Sequence, residues 1–452
     1  MLTVDTERAV YEPGSVAITG NRIIAVGPAA EINSQWQAAR TVDCRGRAVL
    51  PGFTDGHTHL FQSLARGLGE GLSILPWLCE FMWPYSIAVD PEDARVAATL
   101  GAVEALRSGI TTVIDNHYAP TDPDTVLAVA HAVETAGLRG AVARGMVGHK
   151  TRIAAARGLP DALFRYSVAE ELELTRECMR LRPRSSTVQI WPAPLNLSYV
   201  DQDLVRGAAG LAAEFGTHWH THCSEGAKDP ADYLEAYGIR PVEWLAREGL
   251  LDARATLAHA VWLDEAEIKL IGGHGAGVAH NPASNAYLAS GVMRLRELRE
   301  AGAVVALGTD GPSAGHRQDM FEVMKQTLFG QRLHTLDPAA VRCEEALELA
   351  TREGGRYAGT GGGEIRPGAP ADLAVVALDR PHLTPLHRTV ATVVYSARGS
   401  DVDMTIVDGR VVFEDGRCLF VDEEALLAEA QERAQRLVQR AGIGPLRSSW
   451  RH

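Results

Sequence analysis

Long apolar runs are missing from this chain. No stretch of its 452 residues reaches the ~20 consecutive apolar residues that span a bilayer as a helix. Paired cysteines are missing too. The six cysteines (Cys44, Cys79, Cys178, Cys223, Cys343 and Cys418) lie far apart, and none forms a CxxC pair. That spacing argues against a disulfide framework and a zinc-thiolate site, and it fits a reducing cytoplasm. There is no excess of basic charge. The net charge of −13 argues against nonspecific binding to nucleic acid or to anionic membranes. The N-terminus, MLTVDTERAVYEPG, lacks the basic-then-apolar layout of a signal peptide. A glycine-rich phosphate loop is also absent. The lone GTGGG at 359–363 follows a helical pattern and reads as a linker. What is present, 46% apolar and 22% charged residues, is the composition of a globular protein. Its length is too great for one ordinary core.

Both ends of the chain have β texture. Residues 1–50 carry short alternating runs with a hairpin-type turn at Gly20-Asn21. Residues 364–420 repeat that texture, with a second such turn at Asp408-Gly409. The two segments are expected to pack together as one small β-sandwich built from both ends. Between them, residues 51–363 alternate strand-like and helical patterns. The strand candidates are 48–56, 111–116, 140–146, 188–194, 217–223, 255–261, 276–282 and 303–310. Helical stretches such as 91–109 and 123–137 separate them. This is the pattern of a (β/α)₈ TIM barrel, an α/β fold. A doubly wound open sheet is the rival, but it would not normally end so many separate strands in polar residues. Residues 421–452 form a C-terminal helix, over 423–441, and a tail. The helix reads as a surface element docked by its leucine face.

Chemistry gathers at the strand ends. PGFTDGHTHL places His57 and His59 two residues apart, hence on one face of a strand. THWHTHCSE places His222 nearest the strand's C-terminal end, with Glu225 in the loop above it. LAHA holds His259 and ALGTDG holds Asp310. Barrel active sites are built at that end from single residues of several strands. Three imidazoles and one carboxylate suit a divalent ion, zinc first and ferrous iron second, with a position left for water. HxH alone is a weak signal; the ordered set is a strong one. Glu225 is placed to take a proton from water and deliver it to a substrate atom. His259 is placed to touch the attacking oxygen. In AHNPASN, Asn281, Ser284 and Asn285 read as loop-closing hydrogen bonders, and His280 as structural.

These motifs, with HNPASN and the flanking ADLAVV and TIVDGRVV, resemble the amidohydrolase superfamily. The resemblance spans nearly the whole chain. It points to the branch of adenosine-type, guanine-type and oxopurine deaminases and the s-triazine hydrolases. It implies one metal ion held by His57, His59, His222 and Asp310. Binuclear members need a bridging lysine at the end of the fourth strand, and VQIWPAPLN has none. It also implies roles. Asp310 accepts a proton as water attacks an electron-poor ring carbon. Glu225 protonates a ring nitrogen and helps the amine depart, and His259 polarises or orients the oxygen. The chain opens inside what resembles the family's first strand pair, so either a late start or a sandwich without one edge strand is expected.

The substrate is expected to be a small molecule, an amino-substituted heteroaromatic ring of purine, pterin or triazine type. The segment 71–93 is aromatic, and Trp77 and Trp83 are candidates to stack on such a ring. In the thiomethyl- and homocysteinyl-adenosine deaminases, a glutamate two residues past a matching proline holds the ribose. Here Pro84 is followed by Tyr85 and Ser86, which puts a nucleoside in doubt. Ser86, His117, Arg144 and His316 are further candidate contacts. Two alternatives stand beside deamination. One is the same scaffold cleaving an amide, or removing chloride or an alkylamine from a ring. The other, a metal-binding protein without catalysis, predicts loss of at least one of the six polar residues, and none is lost. A homodimer is the default assembly.

Overall fold

The computed structural model describes residues 1–443; residues 444–452, the end of the expected C-terminal tail, lie outside it. Strands β1 (Gly14–Thr19) and β2 (Arg22–Pro28) form an antiparallel pair. Strand β3 (Arg47–Pro51) is the edge of a five-stranded antiparallel sheet. The rest of that sheet comes from the other end of the chain: β12 (Leu373–Ala377), β13 (Val402–Val407), β14 (Arg410–Glu414) and β15 (Arg417–Cys418). Ile23 of β2 packs with Ile365, Ala371 and Leu373, and Val49 and Ile406 close over them. The small domain therefore draws on both termini. The two turns expected from the sequence fall where glycine permits positive φ, at Gly20 (φ 57°) and Gly409 (φ 75°).

Between these ends run eight parallel strands: β4 (Phe53–Thr58), β5 (Ile110–His117), β6 (Arg139–Met146), β7 (Val188–Pro194), β8 (Trp219–Cys223), β9 (Ala255–His259), β10 (Gly277–His280) and β11 (Val304–Leu307). They hydrogen-bond in two arcs of four, β4 to β7 and β8 to β11. Two short seams join the arcs into a barrel. At one seam His222 N–H donates to Leu195 O (3.4 Å) and Leu197 N–H donates to His222 O (3.1 Å). At the other, Asp310 N–H donates to His57 O (2.9 Å). Alternate residues fill the interior: Ile114 of β5, Ala141 and Ala143 of β6, Trp191 and Ala193 of β7, Ala279 and Ala306. Tyr357 reaches into this core from helix Arg352–Tyr357.

One expected strand is two. The apolar run at 48–56 breaks at Gly52. Arg47–Pro51 pairs antiparallel with β12 in the small domain, and Phe53–Thr58 pairs parallel with β5 in the barrel. A Cβ on Gly52 would lie 2.2 Å from the Thr111 side chain, so only glycine lets the chain cross between the domains here. The strand has one sequence texture but two sets of neighbours.

Helices cover the barrel. Pro91–Arg107 starts from an Asp90/Asp93 capping box with proline at its first position. No helix among the described residues is long and apolar enough to cross a membrane, and the six cysteines are unpaired. The C-terminal helix Glu423–Arg440 lies along Pro91–Arg107. It buries Leu426, Ala430 and Leu437, and Arg433 and Arg440 pair with Asp93. Leu437→Ala is expected to cost about 2–5 kcal/mol, the range for a fully buried leucine. Denaturant unfolding measures this, and an unchanged midpoint would mean the helix is a loose appendage.

Candidate active site

The six polar residues converge at the C-terminal mouth of the barrel. His57 lies in β4 and His59 just beyond it; His222 lies in β8, His259 ends β9, and Asp310 follows β11. All are buried, at 8% exposure or less. His57 Nε2 is 3.4 Å and His59 Nε2 3.2 Å from Asp310 Oδ1. His59 Nε2 is 3.3 Å from His222 Nε2. His259 Nε2 is 3.7 Å from Glu225 Oε2 and 4.0 Å from Asp310 Oδ2. The backbone turns sharply to aim them. His259 (φ 69°) and Asp310 (φ 57°) are left-handed, a conformation that costs a non-glycine residue roughly 1–2 kcal/mol.

The donor set fits a cation. His59 Nδ1 is 2.6 Å from Asn116 O, and His222 Nδ1 is 2.6 Å from Leu195 O. A carbonyl only accepts, so each Nδ1 carries a proton, and in its neutral form each ring presents a bare Nε2. Two bare nitrogens 3.3 Å apart repel one another unless positive charge lies between them. His57 Nε2 and Asp310 Oδ1, buried at the same point, have no hydrogen-bond partner. Two ligand triads result, His57/His59/Asp310 and His57/His222/His259, each with its atoms within 4.8 Å of one another.

Burial sets the charge states. It drives His57 and His222 far below the usual histidine range, leaving them neutral and able to ligate. Burial also opposes ionisation of Asp310, but contacts with His57 and His59 win and hold its carboxyl well below the ordinary value. Glu225 lacks contacts of that strength. Burial pushes it up to about 7, and its partial offsets are His259 and a hydrogen bond from Ser290 to Oε1 (3.2 Å). Asp55, behind His57, is also pushed up to about 7 by burial. It accepts from Thr309 Oγ1 (2.5 Å) and Thr309 N–H (3.0 Å), tying β4 to the loop that carries Asp310.

A narrow cavity opens over these groups. Its free volume is about 40 Å³, room for a few waters. Trp77 and Trp83 line it, as the aromatic segment suggested. The other four candidate contacts do not. In β5 and β6, Ile114, Ala141 and Ala143 face inward, so period two turns His117 and Arg144 outward. His117 Nε2 meets Pro120 O at 2.8 Å. Arg144 is fully buried behind the barrel wall and donates to Glu171 Oε2 at 2.8 Å. Ser86 donates to Met82 O within its own helix. His316 packs edge-on against Tyr287, outside the lining. Sequence reasoning missed Gln62, Tyr118, Asn196, Tyr199 and Asp229, which do line the cavity. Tyr118 directly follows β5 and Asn196 lies two residues past β7, positions that signal a site residue. Nothing in the pattern around Gln62 singles it out. A larger groove, about 890 Å³, runs between helix Pro91–Arg107 and the small domain. Most of its charges are paired, as in Arg66–Glu104, Arg107–Glu423 and Arg47–Asp403.

Known proteins are similar to this chain. The Amidohydrolase family pattern matches residues 48–412. The 5-methylthioadenosine/S-adenosylhomocysteine deaminase of Pelotomaculum thermopropionicum is 35% identical over 443 residues, covering 97% of this chain and 98% of its own. The zinc-bound crystal structure of an adenosine deaminase from Xanthomonas campestris matches with a TM-score of 0.87, at 29% identity over 97% of each chain. Zinc-complexed atrazine chlorohydrolase TrzN from Arthrobacter aurescens TC1 matches with a TM-score of 0.88 over 96% of this chain and 98% of its own; at 24% identity it speaks for the fold alone. With the family pattern running from β3 to β14 and a relative similar over its full length, the chain belongs to the amidohydrolase family.

Proposed function

We propose that this protein hydrolyses the exocyclic amine of an adenine-type ring, releasing ammonia and leaving the oxo-heterocycle. The observation that carries the reading is Glu225. It is a buried carboxyl raised to about 7, at the cavity floor beside His259 and Asp310. The similarity to adenosine-derivative deaminases over nearly the whole chain supports the choice of ring.

One zinc ion is the proposed cofactor, with His57, His59, His222 and Asp310 holding it. When bound, it supplies a water acidified enough to attack at neutral pH. The chain's own residues do the rest. Asp310, ionised and facing the imidazoles, takes a proton from the attacking water. Glu225 delivers a proton to the ring nitrogen next to the amine-bearing carbon, then helps carry one to the departing amine. His259 Nδ1 is fixed 2.9 Å from Asn285 Oδ1, which turns Nε2 toward the reacting oxygen. Water adds to carbon, the C–N bond breaks, and ammonia leaves with the proton.

Trp77, Trp83 and Tyr118 are the proposed ring contacts. The cavity must widen to admit a ring. The segment that covers it, Ile74–Ala88, follows three positive-φ glycines (Gly67, Gly69 and Gly71) that can act as its hinge. Ser86 contributes no acid to a ribose, because its hydroxyl is used within its own helix. The sugar side of a nucleoside would meet Tyr199 and Asp229 instead.

Three outcomes are expected. Purified zinc-loaded protein releases ammonia from adenosine or 5′-methylthioadenosine; chloride or alkylamine release from an s-triazine, with no ammonia from either nucleoside, would overturn the reading. Glu225→Gln keeps its zinc, by elemental analysis, while turnover falls at least about a hundredfold, the low end for losing an acid/base group. Finally, Glu225 must carry a proton to deliver one, so kcat/KM falls as pH rises through its pKa, about 7. A profile that stays flat through neutrality would assign the delivered proton to another group.

A further inference from the structure

Two of the three ligand imidazoles have their tautomer fixed by a carbonyl. His57 does not. Its Nδ1 meets another imidazole, His220 Nε2, at 2.8 Å, and either nitrogen could carry the proton. If His220 donated, His57 would carry its own proton on Nε2, where the cation must bind. Something further along has to set the direction.

The contacts continue down the barrel. His220 Nδ1 is 2.9 Å from Thr256 Oγ1, and Thr256 Oγ1 is 2.8 Å from Trp219 O. The carbonyl can only accept, so the Thr256 hydroxyl commits its one hydrogen there. Its oxygen is then an acceptor toward His220, and His220 Nδ1 must be the protonated nitrogen. The neutral His220 ring presents a bare Nε2, which accepts from His57 Nδ1–H. His57 Nε2 is left bare, at the point where it lies buried without a partner. We propose that Thr256 and His220 form a one-way hydrogen-bond relay, anchored on the Trp219 carbonyl, that locks His57 in its metal-binding tautomer. Thr256 and His220 are thus positioning residues for the cation. The inference rests on the metal site proposed above.

One contact competes. The Tyr357 hydroxyl is 3.4 Å from His220 Nδ1. If it donated there, it would impose the reverse order. The distances favour Thr256, and Tyr357 then only shares the N–H.

The tautomers can be read without metal. In the metal-free protein, long-range ¹H–¹⁵N correlation on ¹⁵N-histidine should show both His57 and His220 protonated at Nδ1. Thr256→Val should shift His220 toward a mixture and weaken zinc binding, by chelator competition, at least about tenfold, the low end for an outer partner of a ligand. Thr256→Ser, which keeps the hydroxyl, and Tyr357→Phe should both stay within about twofold of the parent. Should Thr256→Val fail to fold, His220→Gln, whose amide oxygen can still accept from His57, should bind zinc more tightly than His220→Leu. His220 protonated at Nε2 in the parent, or a Tyr357→Phe loss as large as that of Thr256→Val, would overturn the relay. A parent protein that shows the expected tautomers yet does not bind zinc would overturn the metal reading and leave the relay standing.

Discussion

The constraint on which the rest depends is the closeness of bare imidazole nitrogens at the mouth of a closed barrel. His59 and His222 come from opposite arcs of the sheet, yet their Nε2 atoms sit 3.3 Å apart. Each is held there by its own Nδ1–H to a backbone carbonyl, so neither ring can rotate away without leaving a buried donor unpaired. One of those carbonyls, Leu195 O, also accepts the His222 N–H across the seam between β7 and β8. The same atoms therefore close the barrel and orient a ligand. The other seam works alike: Asp310 N–H donates to His57 O, joining two residues of the site by backbone. Closing the fold and building the site are here one event.

Burial then sorts the carboxyls into two kinds. Asp310 faces imidazoles and stays ionised despite its depth. Glu225 and Asp55 lack comparable positive neighbours and rise to about 7. Two acids whose environments push them apart are what proton transfer needs: one poised to hold a proton near neutrality, the other to accept one. The third acid, Asp55, is tied to Thr309 and does not line the cavity, so its burial serves position rather than reaction.

How much of this was legible in the sequence depends on what fixed each residue. The barrel and the two-ended small domain could be read because period, turn residues and strand count leave few other packings. The six polar residues could be read because a strand end in a barrel has one destination. His117 and Arg144 were misplaced although the same period-two rule decides them: Ile114 and Ala143 point inward, so their neighbours cannot. The run across Gly52 was misread as one strand because hydrophobicity does not record which sheet a strand joins. Trp77 and Trp83 stood out by composition. Gln62, Tyr199 and Asp229 did not, because loop packing alone brings them to the cavity.

The difference between chemistry and specificity follows. The residues proposed to handle protons and the cation sit at or just past strand ends, where hydrogen-bond registers fix their places. Residues that meet the rest of the substrate sit on connections whose shape depends on side-chain packing. Ser86 shows the consequence. Where the resemblance leads one to expect a sugar-binding acid, this chain carries a hydroxyl that its own helix uses at Met82 O. The change leaves the metal ligands and Glu225 untouched, since no contact joins it to them. A family built this way can exchange its substrates one loop at a time while the barrel mouth keeps the same reaction, and the shared site cannot by itself name the ring that enters it.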